Sequence, residues 1–260
     1  MPFAAKNAES IGESGLSKVP EVTLIFWIIK IFCTTLGETG GDAVTMSMNL
    51  GYLVGTAIFA VVFLAAVAAQ VFARRFHPFL YWTTIIATTT VGTTMADFAD
   101  RSLGIGYAGG SLSLFVLLMA SLGVWHWSLG SVSVHTVNTP KVEIFYWVTI
   151  MFSQTLGTAL GDWTADSAGV GYSGGIAIFL LLLFIVAALH FWTKISKTFL
   201  FWAAFILTRP LGAVVGDFLD KPLAHGGLNL SRYSASAALV GLVVAFILIF
   251  PQLAGRHPEN

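Results

Sequence analysis

One spacing recurs four times along this 260-residue chain. Trp27, Trp82, Trp147 and Trp202 are each followed after 10 residues by a Gly (Gly37, Gly92, Gly157, Gly212) and after 15 by an Asp (Asp42, Asp97, Asp162, Asp217). Position +14 is small in every copy (Gly41, Ala96, Gly161, Gly216), and position +24 is Gly51, Gly106, Gly171 or Gly226, followed by Tyr in the first three. A repeat in register fixes which positions are structurally equivalent, and only folds assembled from four similar units survive it. The Trp separations of 55, 65 and 55 put units one and three, and units two and four, 120 residues apart. Two duplicated halves follow, residues 20–133 and 134–252, between tails at 1–19 and 253–260. Asp97-Phe98-Ala99-Asp100-Arg101 against Asp217-Phe218-Leu219-Asp220-Lys221 carries the same duplication.

Each unit holds two apolar runs, which start near residues 22, 51, 79, 108, 142, 174, 198 and 234. As helices of about 20 residues these runs match a hydrocarbon core of about 30 Å. With 56% hydrophobic and 10% charged residues and a mean hydropathy of +0.82, the chain has too few charges to cover an aqueous surface. The expected fold is all-α and integral to the membrane: eight transmembrane helices from four parallel two-helix repeats, pseudo-symmetric about the membrane normal. Zero net charge and 13 scattered Lys and Arg residues exclude nucleic acid as a partner. Cys33 is the one cysteine, so a disulfide framework or thiolate metal site within the chain is excluded too.

Residues 1–19 contain no apolar core of a signal peptide and read as a cytoplasmic tail, with the first span directing insertion. Outside the spans, Lys6, Lys18, Arg74, Arg75, Lys141, Lys194, Lys197 and Arg256 fall on the side of the termini, against Arg101, Lys221 and Arg232 opposite. That asymmetry predicts both termini in the cytoplasm.

From about residue 18 to 252 the chain resembles a bacterial membrane-protein family defined by a tandem repeat of unknown function, each repeat with two transmembrane segments and a characteristic Trp. The resemblance implies a bacterial inner (plasma) membrane location and this topology, and it brings no activity.

On a helix, positions 0, +7, +8, +11, +15 and +18 fall within one sector of about 100°. They hold Trp27, Thr34, Thr35, Glu38, Asp42 and Thr45 in unit one, and Trp82, Thr89, Thr90, Thr93, Asp97 and Asp100 in unit two. Unit three gives Trp147, Gln154, Thr155, Thr158, Asp162 and Ala165; unit four gives Trp202, Arg209, Pro210, Ala213, Asp217 and Asp220; Asp166 lies one place beyond the stripe. A charge at the bilayer centre costs about 2.5–3.5 kcal/mol, so the stripe is expected to face inward. Gly37, Gly41, Gly92, Gly157, Gly161, Gly212 and Gly216 beside it let the helices approach closely.

Within the spans, eight acids (Glu38, Asp42, Asp97, Asp100, Asp162, Asp166, Asp217, Asp220) face two bases, Lys30 and Arg209. Arg209 reads as a counter-charge to Asp217 or Glu38; Lys30 either snorkels or forms a buried ion pair. Carboxylates with Thr35, Thr90 and Thr155 suit a hard divalent ion such as Mg²⁺ or Mn²⁺, with Asp42, Asp97, Asp162 and Asp217 as its ligands. Crowded carboxylates also make proton coupling natural.

The expectation is a cation transporter, its partners being the lipid bilayer and an inorganic cation or proton, with a bound divalent cation as the one conceivable cofactor. The competing classes are a membrane redox protein using His126 and His190, an intramembrane aspartyl hydrolase, and a structural or sensory protein whose stripe is interhelical glue or helix caps. No P-loop, HExxH or GxSxG motif is present.

Overall fold

The structure is a computed structural model that describes residues 16–255. Most of both tails, with Lys6 and Arg256, lies outside the described residues. Eight long helices follow one another: α1 (Leu24–Asp42), α2 (Gly51–Phe72), α3 (Pro78–Asp97), α4 (Tyr107–Leu129), α5 (Pro140–Asp162), α6 (Gly171–Trp192), α7 (Lys197–Asp220) and α8 (Arg232–Ile249). Short 3₁₀ turns occur at Val134–Thr136 and Leu223–His225.

The odd helices start where capping chemistry dictates. The Thr23 hydroxyl and the His77 and Ser196 side chains accept the N–H of Phe26, Leu80 and Phe199, and Pro78 and Pro140 occupy first-turn positions where no N–H is needed. In the first three units a five-residue π-helical turn follows the +15 Asp, at Ala43–Ser47, Phe98–Ser102 and Trp163–Ser167. In the fourth, α7 ends at Asp220 with Pro222 close behind, which cannot continue a helix. The recurring +24 Gly has a backbone reason: φ is +77° at Gly51 and Gly106, +70° at Gly171 and +83° at Gly226, the left-handed region that a side chain disfavours.

Packing sorts the helices into two layers. α1, α3, α5 and α7 form a closed inner ring in which each touches the next and α7 returns to α1. The even helices are peripheral, and each leans chiefly on the inner helix of the following unit: α2 on α3, α4 on α5, α6 on α7, and α8 back on α1. Only 11% of the most apolar window of α6 is buried, against 67% for α7. Leu53, Val61 and Leu64 on α2, Leu181 and Phe184 on α6 and Leu248 on α8 project outward, a surface that suits lipid.

Among the described residues six helices are long and apolar enough to cross a membrane: α1 with its π turn, α2, α4, α6, α7 and α8. α3 and α5 have 20 and 23 residues and fall short in apolarity because their Thr, Gln and Asp residues face the ring.

At the end of the bundle near the termini the ring is plugged by rings of another kind. Phe26, Tyr81, Trp82, Trp147, Tyr146, Phe201, Trp202 and Phe205 form one buried cluster, and the Tyr81 and Tyr146 hydroxyls bond at 2.7 Å. Three of the four repeat Trp residues are therefore core, while Trp27 is half-buried. At the +0 position the Trp serves as core packing in units two, three and four. Trp82 Nε1 donates to Gln252 Oε1 and Trp202 Nε1 to Val132 O; these acceptors stand 120 residues apart, as the duplication requires. The same end is tied by the Lys18–Glu143 ion pair at 2.6 Å and by Ser17 and Gly255, whose backbones bond each other.

Candidate cation site on the ring axis

The small residues explain how four stripes meet. A Cβ built on Gly37, Gly92, Gly157 or Gly212 would lie 2.9, 3.0, 2.5 or 2.5 Å from the Cβ of Thr89, Gln154, Arg209 or Thr34 respectively. In every case the +10 Gly of one inner helix receives the +7 side chain of the next. One turn on, Gly41, Gly161 and Gly216 receive Thr93, Ala213 and Glu38 at +11, the last with a Cβ separation of 2.6 Å. The edge and the stripe thus interlock around the ring, and only Gly permits that backbone approach.

At the +7 and +11 levels the axis is filled. Arg209 is fully buried; its Nη2 lies 3.0 Å from Glu38 Oε2 and also donates to the hydroxyls of Thr93 and Thr158, while Nη1 reaches Thr34 O at 3.5 Å. One guanidinium from α7 therefore holds α1, α3 and α5. Of the two counter-charges expected for Arg209, the structure pairs it with Glu38.

Above this plug the four +15 aspartates converge. Oxygens of Glu38, Asp42 and Asp97 lie within 4.8 Å of one another, as do those of Glu38, Asp162 and Asp217 and those of Asp42, Asp217 and Asp220. All six residues are buried. Lys221 Nζ bonds Asp42 Oδ2 and lies 3.0 Å from Asp217 Oδ1; Arg101 Nε lies 3.0 Å from Asp97 Oδ1 and its Nη2 3.5 Å from Asp162 Oδ2. Asp220 is paired with Arg232 at 2.8 Å, and Arg232 lies 3.7 Å from Asp42. Asp42 Oδ1 and Asp162 Oδ1 are buried without a hydrogen-bond partner.

Two expectations are corrected by this geometry. The count of eight acids against two bases fails, because Arg101, Lys221 and Arg232 fold back onto the carboxylates instead of standing in water. Their signal was in the sequence: Arg101 and Lys221 follow Asp97 and Asp217 by four residues, one helical turn on the same face. Lys30 neither snorkels nor meets a carboxylate. It is fully buried, donates to Phe205 O at 3.0 Å and to the Thr208 hydroxyl, and sits 3.8 Å from the centre of the Phe205 ring. It braces the turn before Pro210, where the helix lacks an N–H.

The hydroxyls of the stripe add a pair that the expectation did not name. Thr90 and Thr155 donate to Ile86 O and Met151 O of their own helices, Thr93 and Thr158 do likewise to Thr89 O and Gln154 O and also accept from Arg209 on the axis, and Thr35 is buried, with its carbonyl against Gly216. Away from the centre, Asp100 is half-buried against Gly110 and Asp166 is exposed. His126 and His190 are exposed near the ends of α4 and α6.

The four units also match a known family, described as a Repeat of Unknown Function (DUF347), at residues 25–76, 80–131, 145–196 and 200–250. The chain belongs to the DUF347 repeat family. Each matched DUF347 segment covers one inner and one peripheral helix, so the family unit is the structural unit. No curated protein and no solved structure matches the chain.

Proposed function

We propose that this DUF347 protein is a membrane carrier for a hard divalent cation, of the Mg²⁺ or Mn²⁺ type. One observation carries the proposal: on the axis five carboxylates, from Glu38, Asp42, Asp97, Asp162 and Asp217, meet three bases, Arg209, Arg101 and Lys221. With every group ionised, two negative charges are left over, and Asp42 Oδ1 and Asp162 Oδ1 are left without partners. Uncompensated buried charge is costly, and one divalent ion bound by oxygen ligands would remove it. Exchange of the ion for protons is part of the proposal, since an emptied ring retains that excess charge.

The Arg209 plug and the aromatic cluster close the axis toward the termini, so passage requires rearrangement, which favours a carrier over an open channel. In this reading all eight helices span the inner membrane of a bacterium, α3 and α5 shielded by their neighbours, with both termini cytoplasmic. The orientation rests on the excess of Lys and Arg on the side of the termini.

The test is flux into liposomes holding the purified protein, screened against H⁺, Na⁺, K⁺, Mg²⁺, Mn²⁺ and Ca²⁺, for wild type and the Asp42→Asn, Asp97→Asn, Asp162→Asn and Asp217→Asn variants. Divalent flux lost in the variants, with folding retained, is the expected result. Flux of no ion, or flux indifferent to all four substitutions, would refute the proposal.

A further inference from the structure

We propose that Arg101 and Lys221 are tethered occupants of the cation site, two side chains that close the ring from its far end and are displaced when an ion binds. This rests on the carrier reading above and says how its site is opened and how it selects charge.

Each base bridges aspartates from two successive units. Arg101 joins Asp97 of the second to Asp162 of the third, and Lys221 joins Asp217 of the fourth to Asp42 of the first. They stand 120 residues apart, and the matching positions in units one and three are Met46 and Asp166. The bases therefore cover the α3/α5 and α7/α1 seams and no base of this kind covers the other two.

Arg101 and Lys221 differ from Arg209 in how they are held. Arg209 is walled in by α1, α3 and α5 and is 0% exposed, whereas the side chains of Arg101 and Lys221 are 31% and 12% exposed. Both come from the end of their inner helix, beyond the ring, so they reach the aspartates from the open side and can leave by it. Arg101 already has an alternative contact, since its Nη1 donates to the Tyr52 hydroxyl at 3.3 Å.

The oxygens these bases occupy are the oxygens an ion needs. Asp42 Oδ1 and Asp162 Oδ1, one on each side of the ring, lack hydrogen-bond partners and offer the entering ion its first contacts while the second oxygen of each still holds a base. Releasing one base raises the excess, with every group ionised, from two to three negative charges. Exchanging one base for a monovalent ion gains no charge, while exchanging it for a divalent ion gains one. The tethered bases thus act as a threshold that a divalent cation passes and a monovalent one does not.

The probe is Mn²⁺, its free fraction read by electron paramagnetic resonance over protein in detergent micelles, together with amine acylation of Lys221 read by mass spectrometry. The double variant Arg101→Gln/Lys221→Gln is expected to bind Mn²⁺ at least about tenfold more tightly than wild type, because two competing charges are gone. Arg101→Lys/Lys221→Arg, which keeps both charges, should stay near wild type. In the unmodified protein, Mn²⁺ should raise acylation of Lys221 relative to the exposed Lys194 and Lys197. This second measurement decides the matter if the double variant fails to fold.

Mn²⁺ binding that depends on the four aspartates, with neither tighter binding in the double variant nor a change at Lys221, would overturn the tethered-occupant proposal and leave the cation site standing. Absence of Mn²⁺ binding in every form, the double variant included, would overturn both.

Discussion

At the scale of single residues, the ion pair between Arg209 and Glu38 is the most consequential contact, because each partner would be an isolated charge without the other. Glu38→Gln keeps the size of the side chain but leaves the guanidinium uncompensated, and breaking such a buried pair from one side costs about 3–5 kcal/mol. A large fall in the thermal midpoint of the detergent-solubilised protein is expected. Arg209→Met combined with Glu38→Gln should recover most of that loss, which a thermal melt of the double variant checks. The sequence narrowed the partner of Arg209 to Glu38 or Asp217, which share its stripe, and the packing of α7 on α1 chooses Glu38. It did not disclose the role of Lys30, whose partners are the Phe205 carbonyl and the Thr208 hydroxyl; backbone acceptors leave no trace in side-chain spacing. The same holds for Thr90 and Thr155, since their choice of their own helix carbonyls depends on rotamers that periodicity does not encode.

At the scale of helices, the interlocking of +10 Gly with the next +7 side chain makes a sharp distinction among glycines. Gly157→Ala places a methyl group against the Cβ and Cγ of Arg209 and is expected to cost about 1–3 kcal/mol through overpacking. Gly123→Ala on α4 meets nothing within 4 Å, so the usual helix preference for Ala over Gly leaves it neutral or slightly stabilising, by up to about 1 kcal/mol. Parallel thermal melts of the two variants separate the cases, and equal effects would mean the ring is not closed at the Arg209 level. That the inner helices carry the polar stripe was readable from the four registers. Which peripheral helix covers which inner one was not, because α2, α4, α6 and α8 offer lipid and protein much the same apolar side chains. Nor did the sequence announce the π turns after Asp42, Asp97 and Asp162, where ordinary helix-forming residues take a wider turn.

At the scale of the molecule, the proposed orientation predicts that topology reporters fused after Arg75 and after Arg101 report opposite sides of the membrane; agreement between them would break the two-helix unit. The cyclic overlap of the layers carries a further consequence, which concerns the order of synthesis. Helices α2 to α7 each find a cover or a partner soon after they are made, because the following unit supplies it. α1 meets α3 just as early, but its other neighbour in the ring is α7 and its cover is α8, the last two of the described helices to be made. The first of the described helices, bearing Glu38 and Asp42, is thus the last to be sealed, and the charged centre is assembled only when α7 closes on α1, with α8 then covering it.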